Sequence, residues 1–170
     1  MPRQAKILTE DDVLKEIQLF RQQQKTLMLA SLSENKQPLA SYAPFIEDNE
    51  GRFFLLLSGL AVHSANLQIH QQQHSTLSVM LIEDEQAARN IFARKRLTYS
   101  CSVSIWPRDH PQWQETILAL QDKLGKTIEV LSSLGDFSLY CLTPQQGNYV
   151  RGFGQAYELL DAIEPVLPEK

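Results

Sequence analysis

The spacing of apolar positions changes several times along the chain, and each change marks an element. Val13, Leu14, Ile17 and Phe20 recur three and four residues apart, the period of one helix face. Thr9, three residues before Asp12, has the form of a capping box, and Glu10, Asp11 and Asp12 fill the first turn, where the helix dipole favours negative charge. This predicts a helix to about Gln23. Strand-like runs follow at residues 26–32, 39–45 and 52–57, separated by turns at 34–37 and 48–51. Their short connections predict an antiparallel meander. Phe53 to Leu57 is unbroken in its apolarity, which implies burial on both faces, and Pro44 implies an edge or a bulge.

Residues 60–72 then read as a helix and 75–82 as a strand with Leu77, Val79 and Leu81 on one face. Glu83-Asp84-Glu85 is an acidic turn that predicts a short helix to about Asn90. A long strand is expected from Ile91 to Trp106. Asp109 is the expected N-cap of the longest helix, whose stripe is Trp113, Ile117, Leu120, Leu124, Ile128 and Leu131. Residues 136–142 read as a strand, 143–148 as a loop, and 149–159 as the last strand, with Gly152 and Gly154 suggesting a bulge. Residues 161–170, with Pro165 and Pro168, read as a loosely held tail. Six to seven antiparallel strands interrupted by helices predict a mainly β, α+β protein built as a closed barrel. Residues 1–170 are expected to form a single domain. There is no βαβ alternation and no G-x-G-x-x-G.

A net charge of -4 over 170 residues gives no reason to expect a nucleic acid or an anionic membrane as partner. No apolar run approaches the ~18 residues of a membrane span, and the N-terminal residues lack a signal-peptide core. Cys101 and Cys141 stand apart in apolar strand contexts and read as buried thiols. The expected compartment is the cytoplasm.

In a chain with this charge balance, the local cluster Arg94-Lys95-Arg96 gains weight. On a strand, Arg94, Arg96 and Thr98 would share a face and Lys95 would point the other way. Two guanidinium forks beside a hydroxyl suit a carboxylate or a phosphate. A solvated strand end paired with the acidic turn fits the same pattern. His63, Asn66 and His70 fall on one face of the helix at 60–72. His70 and His74 have the spacing of a two-histidine metal site, but no acid lies between them, so an exposed polar helix end is expected and no metal.

Five stretches together resemble a known family: Ser41-Tyr42-Ala43-Pro44-Phe45; Ser58-x-Leu60-Ala61-x-His63-x-x-Asn66-Leu67; Ile82-Glu83-Asp84-Glu85; Phe92-Ala93-Arg94-Lys95-Arg96-Leu97-Thr98; and Gly152-Phe153-Gly154-Gln155-Ala156-Tyr157. They are similar to the haem-utilisation proteins of the HugZ/HutZ type, within the pyridoxamine-phosphate-oxidase-like, FMN-binding split-barrel group. The resemblance implies a split β-barrel and a homodimer with a small-molecule ligand, haem, at its interface. It implies haem binding and oxidative haem degradation, with Arg96 and Asp136 as catalytic candidates. Thr26 matches an interface threonine and His63 the histidine of the helical turn. The resemblance places an axial histidine in the C-terminal tail; residues 161–170 carry none, so the iron ligand is open. A flavin reading stands beside it: an FMN-dependent oxidoreductase with Arg94, Lys95 and Arg96 on the phosphate, helped by Ser58 or Thr98. A non-catalytic haem or flavin binding module is the third.

Overall fold

The structure is a computed structural model describing residues 9–160 and 164–166. Helix α1 (Glu10–Gln23) starts at Thr9, whose side chain accepts from the Asp12 amide while Asp12 accepts from the Thr9 amide, so the capping box forms as the sequence predicts. Val13, Ile17 and Phe20 are buried against the barrel.

Strand β1 (Thr26–Leu32) pairs antiparallel with β2 (Pro38–Pro44). The chain then bends at Phe45, whose amide donates to the Lys25 carbonyl, and continues as β3 (Ile46–Glu47). β4 (Phe53–Ser58) pairs with β3 and not with β2, so the meander expected for residues 26–57 is corrected. One bent segment serves two neighbours, as a barrel corner requires. The path β2-β1-β5-β6-β7-β4-β3 therefore returns to the segment on which it began. Its other members are β5 (Leu77–Ile82), β6 (Arg96–Trp106) and β7 (Phe137–Gly152), with helix α2 (Val62–Gln72) between β4 and β5. β8 (Gln155–Leu160) pairs with β7, and β9 (Glu164–Val166) with β8. The sheet has nine strands among the described residues, against six to seven expected.

Four further expectations are corrected. The segment after the acidic turn is a chain of turns, not a helix: Ala87 and Ala88 bond back to Asp84 and nothing continues the ladder. The cationic strand begins at Arg96 and not at Ile91. Ile91–Ala93 is a 3-10 turn, capped by Asn90 Oδ1 accepting from the Phe92 amide at 3.0 Å. The longest helix is two, α3 (Trp113–Leu124) and α4 (Thr127–Ser133), broken at Gly125 with φ 99°; Gln112, not Asp109, precedes the first. Residues 143–148 are strand, because β7 runs unbroken along all of β6. Gln145 is the extra residue of a bulge opposite Ser100 and Cys101, beside Pro144, which has no N–H to give the ladder. In the tail, Glu164–Val166 form strand at a sheet edge, where Pro165 is tolerated. The remaining tail residues lie outside the described residues.

Two cores share the sheet. Leu27, Leu29, Val79, Leu81, Leu97 and Tyr99 fill the barrel with Phe53 and Leu55. Phe54, Leu56, Leu139 and Cys141 face outward beneath Trp113, Ile117 and Leu120 of α3. Phe53–Leu57 is thus buried on both faces, as its composition implied, and both cysteines are free and buried. Arg21 closes the barrel from α1. It is 7% exposed, binds the Glu47 carboxylate at 2.7 and 3.0 Å, donates to Tyr99 Oη at 3.3 Å and to the Gly51 carbonyl at 3.1 Å, and lies over the Phe53 and Tyr99 rings. No described helix is long and apolar enough to cross a membrane.

Gly147 lets β7 pass the Tyr99 ring. A Cβ there would lie 2.6 and 2.7 Å from two Tyr99 ring carbons and 3.0 Å from the Thr98 carbonyl oxygen. Tyr99 is fully buried and has no room to yield. Gly147→Ala is therefore expected to destabilise the fold by ~1–3 kcal/mol. An unchanged urea midpoint would contradict this packing.

Candidate functional site

Alternation along the strands sets the site's location. Leu97, Tyr99 and Cys101 point into the barrel, so Arg96, Thr98 and Ser100 stand on its outer face. The register sets Thr98 opposite Met80, Met80 opposite Met28, and Met28 opposite Tyr42. These side chains line an outer groove of about 530 Å³ with Ala30, Ala40 and Ser78. Met28 is 47% and Tyr42 64% exposed. Met28 and Met80 also border a second groove of about 600 Å³ that reaches Thr26, Ile82 and Arg94. Thr26, Arg96 and Thr98 thus share one outer surface. The groove's methionines and tyrosine did not stand out in the sequence. The available signal was β1 itself, where Met28, Ala30 and Leu32 are apolar on the face opposite the core.

The three adjacent cations do not act together. Arg94 lies before β6, and its guanidinium turns to the acidic segment: Nε donates to the Glu83 carbonyl at 2.9 Å, Nη2 to the same oxygen, and Nη1 pairs with Glu85 at 3.1 Å. Lys95 reaches Glu16 of α1 at 3.0 Å. Glu16 also accepts from Arg151 at 2.8 Å and Tyr149 at 2.8 Å. Burial alone would raise the Glu16 carboxyl, but these three donors outweigh it and hold the carboxyl below its usual value. Tyr149 is pushed the other way, by burial and by the hydrogen bond its hydroxyl donates to Glu16. Arg96 differs. Its only hydrogen bond among the described residues goes to the Arg94 carbonyl at 3.3 Å, leaving most of its donor fork free.

The remaining candidates gather elsewhere. Ser58 ends β4 and donates to Asp136 Oδ2 at 2.8 Å, while the Gly59 amide donates to the Asp136 carbonyl at 2.6 Å. Arg108 fastens the approach to Asp136 by donating to the carbonyls of Ser132 (2.5 Å), Leu134 and Phe137 (3.3 Å). His63 lies in the first turn of α2 and makes no side-chain hydrogen bond among the described residues; burial lowers its pKa. Asn66 is buried and donates to Ser31 Oγ at 3.0 Å, tying α2 to β1. His70, expected on an exposed helix end, is buried: Nε2 accepts from the Leu32 amide at 3.1 Å and Nδ1 meets Ser75 Oγ at 2.8 Å. The described residues hold no metal-ligating cluster.

Arg96 and Asp136, the two catalytic candidates, lie apart within one chain. Arg96 begins β6, whereas Asp136 precedes Phe137 at the Trp106 end of that strand. Ten residues of strand separate the ends by roughly 30 Å. One chain therefore presents two groups, Thr26, Arg96 and Thr98 at one end and Ser58, His63 and Asp136 at the other.

Residues 13–151 match the family described as pyridoxamine 5′-phosphate oxidase. The chain is 44% identical over 144 residues to a Vibrio cholerae protein named heme oxygenase HutZ, covering 85% of this chain and 79% of that one. The crystal structure of HutZ, described as the heme storage protein of Vibrio cholerae, superposes with a TM-score of 0.73 at 43% identity, over 82% of this chain and 95% of that one. Campylobacter jejuni ChuZ superposes with a TM-score of 0.84 at 26% identity, over 96% of this chain and 68% of that one.

Proposed function

The chain belongs to the pyridoxamine 5′-phosphate oxidase family, and from that premise we propose that it binds haem for haem-iron utilisation, in a site completed by a second copy of the chain. One observation carries the reading. Arg96 keeps most of its guanidinium fork free on the sheet's outer face, two residues along β6 from Thr98, which lines an apolar groove there. Haem is a flat apolar ring with two carboxylates, and those two features meet its chemistry. The identity to a protein named as a heme oxygenase supports this choice and favours oxidative haem degradation as the use of the bound ring.

A homodimer is the arrangement that would bring the two separated groups together. A two-fold axis across the apolar outer face would bring Thr26 and Arg96 of one subunit towards Ser58, His63 and Asp136 of the other. Arg96 would hold a carboxylate through charge-assisted hydrogen bonds. Asp136 would enter oriented, because Ser58 already donates to one of its oxygens. Burial lowers the His63 pKa and so favours the neutral ring over the charged one. Bound haem supplies the iron-centred redox chemistry; the residues of the chain supply grip, orientation and exclusion of water. A cytoplasmic setting belongs to the same reading.

The flavin alternative asks Arg94, Lys95 and Arg96 to grip one phosphate together. Arg94 and Lys95 are already held by Glu83, Glu85 and Glu16, and Ser58 sits at the far end of the barrel. That geometry favours haem. Titration of the purified protein with haemin and with flavin mononucleotide, followed in the visible spectrum, tests the choice. A Soret band growing to one haemin per chain or per dimer is expected. Uptake of flavin and not haemin would replace this reading with the flavin one, and uptake of neither would remove both. Sedimentation of the same samples is expected to give the mass of a dimer.

A further inference from the structure

Two phenylalanine rings stand in solvent at the Arg96 end of the barrel. Phe92 is 82% exposed and Phe153 68% exposed, with Ile91 beside them at 55%. Exposed aromatic surface gathered at one corner marks a place where something is received. Both residues sit on turns of defined shape. Phe92 lies in the 3-10 turn that Asn90 caps. Phe153 is at the tip of the β7–β8 hairpin, flanked by Gly152 and by Gly154, which takes φ 64°. The two turns are neighbours. Arg96 pairs with Val150, so the residues leading into Arg96 run beside those leaving Val150, and Ala93 and Arg151 line one pocket.

Bare aromatic surface therefore lies four residues before Arg96 and three beyond its strand partner Val150, at the end of β6 where a guanidinium keeps unused donors. A phosphate or sulfate would satisfy Arg96 and leave the rings wet; a neutral apolar molecule would cover the rings and leave Arg96 unpaired. A flat apolar ring system carrying carboxylates satisfies both. Resting on the haem reading above, we infer that Phe92 and Phe153 form the wall against which the face or edge of the macrocycle packs while Arg96 takes a carboxylate. The pair would then select for ring size and flatness, and Arg96 for the acid.

The test uses the full chain and haemin. Phe92→Ser and Phe153→Ser are each expected to bind haemin roughly tenfold more weakly, with a displaced Soret maximum, because each removes an aromatic contact and its buried area. Phe92→Leu, which keeps apolar area, is expected to fall between Phe92→Ser and the parent. Melting temperatures are expected to stay at the parent's, since neither ring is packed inside the fold. If the parent binds haemin and both serine variants match its affinity and Soret position, the inference falls while the haem reading stands. If the serine variants lose dimer mass at unchanged haemin affinity, the rings belong to the subunit contact and the inference falls again. If the parent takes up no haemin, the haem reading fails first and this inference goes with it.

Discussion

Arg21→Ala is expected to destabilise the protein by ~3–5 kcal/mol, as removal of one partner from a buried ion pair does. The arginine holds the Glu47 carboxylate through two contacts, satisfies Tyr99 Oη and the Gly51 carbonyl, and lies over the Phe53 and Tyr99 rings. Truncation strips all of these at once. The loss also carries a pH signature. Burial already holds the Glu47 carboxyl above its usual value despite the attraction of Arg21; without Arg21 it rises further. A carboxyl whose folded pKa is raised takes up its proton more readily in the folded chain than in the unfolded one. Folded stability then falls as pH climbs from the ordinary carboxylate range through the raised value. The variant's deficit is therefore expected to be larger at about pH 8 than at about pH 5. Urea unfolding at both pH values checks it. A variant as stable as its parent at the higher pH would mean the clamp contributes nothing.

Arg96→Ala should leave the fold intact and weaken haemin binding by roughly ten- to a hundredfold, the size of a lost charge-assisted hydrogen bond. The fold is spared because the side chain's one internal bond, to the Arg94 carbonyl, is long and part-buried. Arg96→Lys keeps the charge and loses the planar fork, and is expected to recover only part of the affinity. Arg94→Ala gives the contrast: its guanidinium is spent on Glu83 and Glu85, so its loss should disturb the acidic segment and act on haemin weakly. Equal loss of affinity in the Arg94 and Arg96 variants would mean that the cluster acts by charge alone.

Much of the barrel is readable from local patterns. The capping box at Thr9, the apolar stripe of α1 and the two-faced burial of Phe53–Leu57 are local signals, and each forms as written. What escaped was set at long range. Nothing near Thr143 announces that β7 continues through Pro144 to Gly152; that follows from the length of β6 beside it. The split of the longest helix at Gly125 was the reverse case, a local glycine outvoted by an apolar stripe that runs on past it. The candidate site was legible one residue at a time and not as an assembly. Arg94 and Arg96 look equivalent in sequence. The difference lies in Glu83 and Glu85, eleven and nine residues before Arg94, folding back to occupy it. Arg96 and Asp136 could be paired by resemblance, but their distance along β6 depends on which strand ends meet, which no local spacing encodes.

The position of β7 has a consequence for how the protein is made. Between β6 and β4 the hydrogen-bonded path runs only through β7. A chain emerging from the ribosome up to Gly135 therefore holds an open sheet, β6-β5-β1-β2 continuing through the bend at Phe45 into β3-β4, with β6 and β4 as its unpaired edges. Residues 137–152 join these edges, so closure waits until β7 has been synthesised. Until then β4, apolar on both faces, is the segment with most to lose from meeting another copy of itself, and a chaperone that shields it would act on the protein's most aggregation-prone interval.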